Sequence, residues 1–172
     1  MKEILGDKGA ALGDMAGLGL PVPPGFTIAA EACLLYHSNR GRLPAAVTRE
    51  IAANLAKLER AAGKRFGDPK NPLLVAVRPG GRFSMPGMTD TVLDLGLNDR
   101  TVEGLASRSG DPRFAYDCYR RFLAMFGITV LGVPRDAVGQ LLEEKRQERG
   151  VPSGADLDTG DPLAGQVVEE DA

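Results

Sequence analysis

The sequence predicts an α/β (α+β) fold of mixed strands and helices followed by a helical region, and three features carry that expectation. Leu73–Val77 is an unbroken apolar run of strand length, set between the loop DPKNP and Arg78, as an interior strand would be. Helical periodicity recurs in TREIAANLAKLERAAG, DPRFAYDCYRRFLAMFG and PRDAVGQLLEEKRQERG. The chain of 172 residues, 43% hydrophobic and 26% charged, also holds enough apolar material for one core. The expected organisation is a mixed subdomain over 1–97, a helical subdomain over 98–150, and a tail over 151–172.

From the N-terminus, Gly6–Leu18 reads as a glycine-led turn running into a helix, with Asp7 as N-cap and Gly17 and Gly19 at its end. PVPPGFTIAA is extended, and Phe26 and Ile28 alternate as a short strand would. Glu31–Ser38 is helical. In the next helix Ile51, Leu55, Leu58 and Ala62 share a face, Thr48 is placed to cap it, and Gly63 closes it. Thr89–Leu95 fits a short helix or a strand equally. Asn98–Asp99 makes a turn, and Thr101–Ala106 a brief helix.

Asp111 with Pro112 is a strong helix start, and Phe114, Cys118, Phe122 and Met125 form the stripe that follows. The last helix runs from Pro134 to Arg149, with Gly150 as its stop. Val138, Leu141, Leu142 and the stem of Lys145 make its apolar face. The tail carries six acidic and no basic residues and is expected to be disordered.

Charge narrows the function. The net charge of −2 argues against a nucleic-acid binder working by bulk electrostatics. With the acidic tail set aside, residues 1–150 carry 21 basic against 17 acidic residues, a mildly basic body suited to an anionic small ligand. No apolar run is long enough to span a membrane and no secretory leader is visible, so a cytoplasmic location is expected. Cys33 and Cys118 lie at no metal-ligand spacing and read as reduced, buried thiols. His37 is the sole histidine. In EACLLYHSN it reads as an exposed or capping residue near a helix end, which leaves no base for a nucleophilic triad.

Two glycine-rich stretches remain, GDKGAALGDM and VRPGGRFSMPG. Neither is a P-loop, since the lysine is not followed by Ser or Thr and GxxxxGK is absent. Each could be no more than a turn. Both nevertheless set a cation, Lys8 or Arg78, beside unhindered backbone N–H groups, which is how phosphate is held. An arginine at the end of a buried strand calls for an anionic partner.

GDKGAALGDMAGLGLPVPPGFTI, PLLVAVRPGGRFSMPGMTDTVLDLGLND, TVEGLA and DPRFAYDCYRRFLAMFG resemble, in order and spacing, the opening of the ATP-binding domain of the pyruvate, phosphate dikinase family of phosphoenolpyruvate-utilising enzymes. The resemblance runs from about Leu5 to Gly150. It implies the N-terminal half of an ATP-grasp-type nucleotide-binding domain, with ATP and Mg2+ as cofactors. In that family the domain phosphorylates a histidine carrier during pyruvate/phosphoenolpyruvate interconversion.

By resemblance Lys8 and Arg78 are the catalytic cations. Lys8, Gly9, Arg78, Gly80, Gly81, Ser84, Gly87, Met88 and Thr89 surround ATP or pyrophosphate, and the chain supplies no metal ligand of its own. The chain departs from the family's pattern at several points. Asp7 stands where a glycine is usual, VRPGGR replaces VRSGAR so that Pro79 removes a donor and a hydroxyl, and Thr89 breaks the usual MMDT. The second half of the ATP-grasp domain is not in the sequence. The expectation is therefore a truncated ATP-binding segment, inactive alone. The alternative is a non-catalytic module docking on a full-length dikinase or a separately encoded second half. No nucleic-acid or membrane partner is expected.

Overall fold

The computed structural model describes the backbone of residues 2–78 and 91–150, with side chains from Gly9 onward. Eight elements follow in chain order: α1 (Lys2–Gly17), α2 (Glu31–Ser38), α3 (Ala45–Ala62), β1 (Val75–Val77), β2 (Val92–Leu95), α4 (Asp99–Ser109), α5 (Pro112–Thr129) and α6 (Arg135–Glu148). The fold is therefore α+β, helices with one small antiparallel sheet. Its described residues divide into two compact units, 2–64 with Arg78, and 65–77 with 91–150.

The first unit holds α1, α2 and α3. Among their described residues only Ala10 is buried. Helix α1 starts at Lys2 and not beyond Gly6, so Asp7 lies inside the helix and does not cap it. Good helix formers precede Gly6, and one interior glycine costs only about 1 kcal/mol, too little to stop propagation. Its end is as expected. Gly19 takes φ 76°, its N–H donates to the Ala16 carbonyl, and that of Leu20 to Met15, which completes a Schellman motif.

No strand forms at Phe26–Ile28, because no described backbone pairs with it. Cys33 is exposed on α2, not buried, since α2 buries no residue. Helix α3 begins three residues before Thr48, whose hydroxyl donates back to the Pro44 carbonyl at 3.4 Å and does not cap. Gly63 closes it at φ 63°.

The second unit contains the core: Val92, Leu97, Val102, Ala106, Ala115, Cys118, Tyr119 and Phe122. β1 and β2 pair antiparallel, Val75 opposite Leu95 and Val77 opposite Val92. The two intervals differ by one residue, so β2 carries a bulge. Asp94, within it, takes φ 57°, a left-handed conformation aspartate tolerates better than most residues. Thr89–Leu95 thus resolves as strand from Val92. The apolar run before Arg78 is a shorter strand than expected and not an interior one. Among the described residues the sheet has two strands, and Ala76 and Val77 are exposed while Leu73 is buried.

Helix α4 is longer than the sequence suggested because its cap is complete. The Asn98 side chain accepts from the Arg100 and Thr101 N–H groups, and the Thr101 hydroxyl accepts from the Asn98 N–H at 2.8 Å. Asp111 caps α5 by accepting from the Phe114 N–H at 3.0 Å, with Pro112 in the first turn, as read from the sequence.

The buried stripe of α5 is Ala115, Cys118, Tyr119 and Phe122; Phe114 is 47% exposed and Met125 half-buried. On α6 the expected face Val138, Leu141, Leu142 and Lys145 is the half-buried one. Gly150 follows at φ 65°. The tail 151–172 lies outside the described residues.

Candidate functional site

Arg78 is the residue immediately after β1, and the route from the core to it is short. Tyr119 and Phe122 stack on α5, with ring centroids 6.5 Å apart, and belong with Val92 of β2 to the buried cluster. Two phenols bind α5 to α4: Tyr119 donates to the Asp99 carboxylate at 2.7 Å, and Tyr116 to Glu103. β2 in turn holds β1 by its ladder. Arg78 is exposed, and no described residue bonds or pairs with it. Arg78 follows that strand directly in the chain, and a guanidinium offers an anion up to five donors in a planar fork.

The structure does not place Lys8 and Gly9 where the sequence suggested. Both lie in the second turn or beyond of α1, so the N–H groups there belong to the helix interior and not to a helix start. Gly9 is half-buried. Gly80, Gly81, Ser84, Gly87, Met88 and Thr89, with Pro79 and Asp90, lie outside the described residues. His37 is exposed in the last turn of α2, as expected, with Tyr36 edge-on to it at 5.6 Å.

Sequence reasoning missed one charged group in the second unit. Burial pushes the Asp94 carboxyl above its usual range, with Arg121 opposing. Burial likewise raises the Cys118 thiol, and the Asp94 carboxylate adds to it, so this cysteine is a poor nucleophile. The signal that could have exposed it is Asp94 itself, a carboxylate set in VLDLGL where strand alternation puts an inward side chain. Arg120 and Arg121 both pair with Asp117, the first at 2.6 Å. Among the described residues no three His, Cys, Asp or Glu side chains come together as a metal site would require.

Comparison with known proteins supplies what geometry alone does not. No protein-family model matches the chain. Individual relatives do. The chain is 49% identical over 171 residues to pyruvate, phosphate dikinase 1, chloroplastic, of Zea mays, and 51% over 161 residues to pyruvate, phosphate dikinase, chloroplastic, of Flaveria pringlei. To pyruvate, phosphate dikinase of Clostridium symbiosum it is 45% identical over 161 residues.

It is a homologue of the pyruvate, phosphate dikinases.

These alignments take in 94–98% of the chain but only 17–18% of each dikinase, so the chain spans under a fifth of the length of the curated relatives it matches. No helix among the described residues is long and apolar enough to cross a membrane.

Proposed function

We propose that the chain is a nucleotide-binding segment of dikinase type, the first lobe of an ATP-grasp-type domain, in which Arg78 holds the phosphates of ATP or pyrophosphate. The observation that carries the reading is Arg78 itself: an exposed guanidinium without a described partner, at the end of a strand tied to a core. Homology to dikinases over nearly the whole chain supports it. In this role Arg78 orients a phosphate through two parallel N–H donors, which a planar fork does and a lysine ammonium does not. Lys8 adds charge from α1. The phosphoryl acceptor is a histidine carrier on other polypeptide, with magnesium held by residues beyond those described here.

The test is nucleotide binding by the purified chain. Wild type is expected to shift in melting temperature and amide spectra at millimolar ATP with magnesium. Arg78→Ala should weaken the affinity by ten- to a hundred-fold, the scale of about 1.5–3 kcal/mol for a hydrogen bond to a charged group. The fold should be untouched, since Arg78 is exposed and packs on nothing in the core. Lys8→Ala should give a smaller loss of the same sign. A wild-type chain that ignores millimolar ATP and pyrophosphate would end this reading.

A further inference from the structure

We infer that Asp94 makes the β1–β2 ladder, whose first strand runs into Arg78, sensitive to pH: the ladder is held firmly while the Asp94 carboxyl is neutral and opens more readily once it is charged. The inference does not depend on nucleotide binding by Arg78.

Asp94 is held in a tight corner. It occupies the β2 bulge at φ 57° and is half-buried. Its carbonyl accepts from the Leu97 N–H at 3.1 Å. Two residues on, Gly96 takes φ 121°, and a Cβ there would stand 2.6 Å from the Leu73 carbonyl oxygen. The corner 94–97 therefore lies hard against the backbone just before β1. Further hydration of the Asp94 side chain requires that corner to lift, and with it the ladder that sets Val75 opposite Leu95.

The surroundings do little to compensate a charge at this place. The elements packed on β2 are β1 and α5. β1 brings only Val75, Ala76 and Val77. From α5 come the buried Cys118 thiol and the Arg121 guanidinium. Arg121 is committed to Asp117: its Nη2 pairs with that carboxylate, and its Nε donates to the Asp117 carbonyl at 3.4 Å. On α4, Asp99 and Glu103 are engaged by Tyr119 and Tyr116. No described residue donates a hydrogen bond to the Asp94 carboxylate. Desolvation of the charged form therefore dominates, Arg121 opposes it only in part, and the carboxyl is raised above the ordinary aspartate range. A value raised by folding contributes stability that is complete below the unfolded value of about 3.9. That contribution is lost as the pH climbs through the folded one.

Two measurements on the whole 172-residue chain test this. The carboxyl carbon signal of Asp94, assigned by its absence from Asp94→Asn, is expected to titrate with a midpoint above about 3.9. Asp94→Asn keeps the size of the side chain and suits the left-handed backbone, but never carries the charge. Amide exchange in β1 and β2 should therefore be several-fold slower in the variant than in wild type at about pH 8, a gap that closes toward about pH 4. A midpoint at or below the ordinary aspartate value overturns the inference. So does equal exchange in the two proteins at the higher pH. A gap of the same size at both ends of the range also overturns it, because that traces to packing and not to charge.

Discussion

Phe122→Ala is expected to lose about 3–5 kcal/mol of stability, the cost of truncating a buried aromatic and leaving a cavity behind. Phe122 is 7% exposed, stacks on Tyr119 and meets Phe126 at a ring separation of 5.6 Å. It also belongs to the cluster that joins α4, α5 and β2. Small domains hold about 5–15 kcal/mol in total, so this one change removes a large share of the second unit's stability. Urea denaturation read by far-ultraviolet circular dichroism checks it, and a loss below about 1 kcal/mol would mean that the α5 face does not pack as described. Phe114→Ala is the contrasting variant: at 47% exposure it should cost far less, although both phenylalanines stand on the same helix about two turns apart.

Gly104→Ala is the second large effect, and its sign runs against helix propensity. In an open helix the change would gain up to about 1 kcal/mol. At Gly104, however, a Cβ would stand 2.0 Å from the Pro69 carbonyl oxygen and 2.8 Å from its carbon. Those are backbone atoms, and the loop that bears them is braced. The Asp68 carboxylate accepts from the N–H groups of Lys70 and Asn71, and the Leu73 N–H donates to the Arg65 carbonyl at 2.8 Å. The overpacking cost, about 1–3 kcal/mol or more, outweighs the propensity gain, so a net loss of about 2 kcal/mol is expected. Gly139→Ala on α6 serves as the control, since nothing lies within 4 Å of its Cβ position, and it should be neutral or stabilising. Equal effects at the two glycines would refute the close approach of α4 to Pro69.

Much of the second unit was legible in the sequence because its signals are local. Asp111 with Pro112 and Gly150 name helix boundaries through their own backbone chemistry, with no knowledge of the rest of the fold, as Gly63 does in the first unit. The phase of the α5 stripe was not legible. Phe114 and Ala115 are adjacent rows on one helix, and both rows contain Cys118 and Phe122 at helical spacing. Which row turns inward is decided by α4 and β2, whose position the periodicity of α5 does not contain.

The same reasoning explains Phe26–Ile28. Alternation states that a segment could be a strand, but a strand exists only where another backbone completes its ladder. The apolar run before Arg78 made it legible only as a residue that follows a strand. The position of Lys8 was misread because a glycine was taken to begin a helix that the residues before it had already begun.

The phenol of Tyr119 gives the second unit an optical signature of its own. The chain has three tyrosines and no tryptophan, so its near-ultraviolet spectrum is a tyrosine spectrum. Burial, then the hydrogen bond to Asp99, holds the Tyr119 hydroxyl protonated well above the ordinary tyrosine value of about 10. A folded-state pKa raised in this way favours the native form below pH 10, and that advantage drains away as alkali carries the pH upward. Phenolate absorbance followed through an alkaline titration therefore reports the loosening of α5 from α4, without any label being attached to the protein.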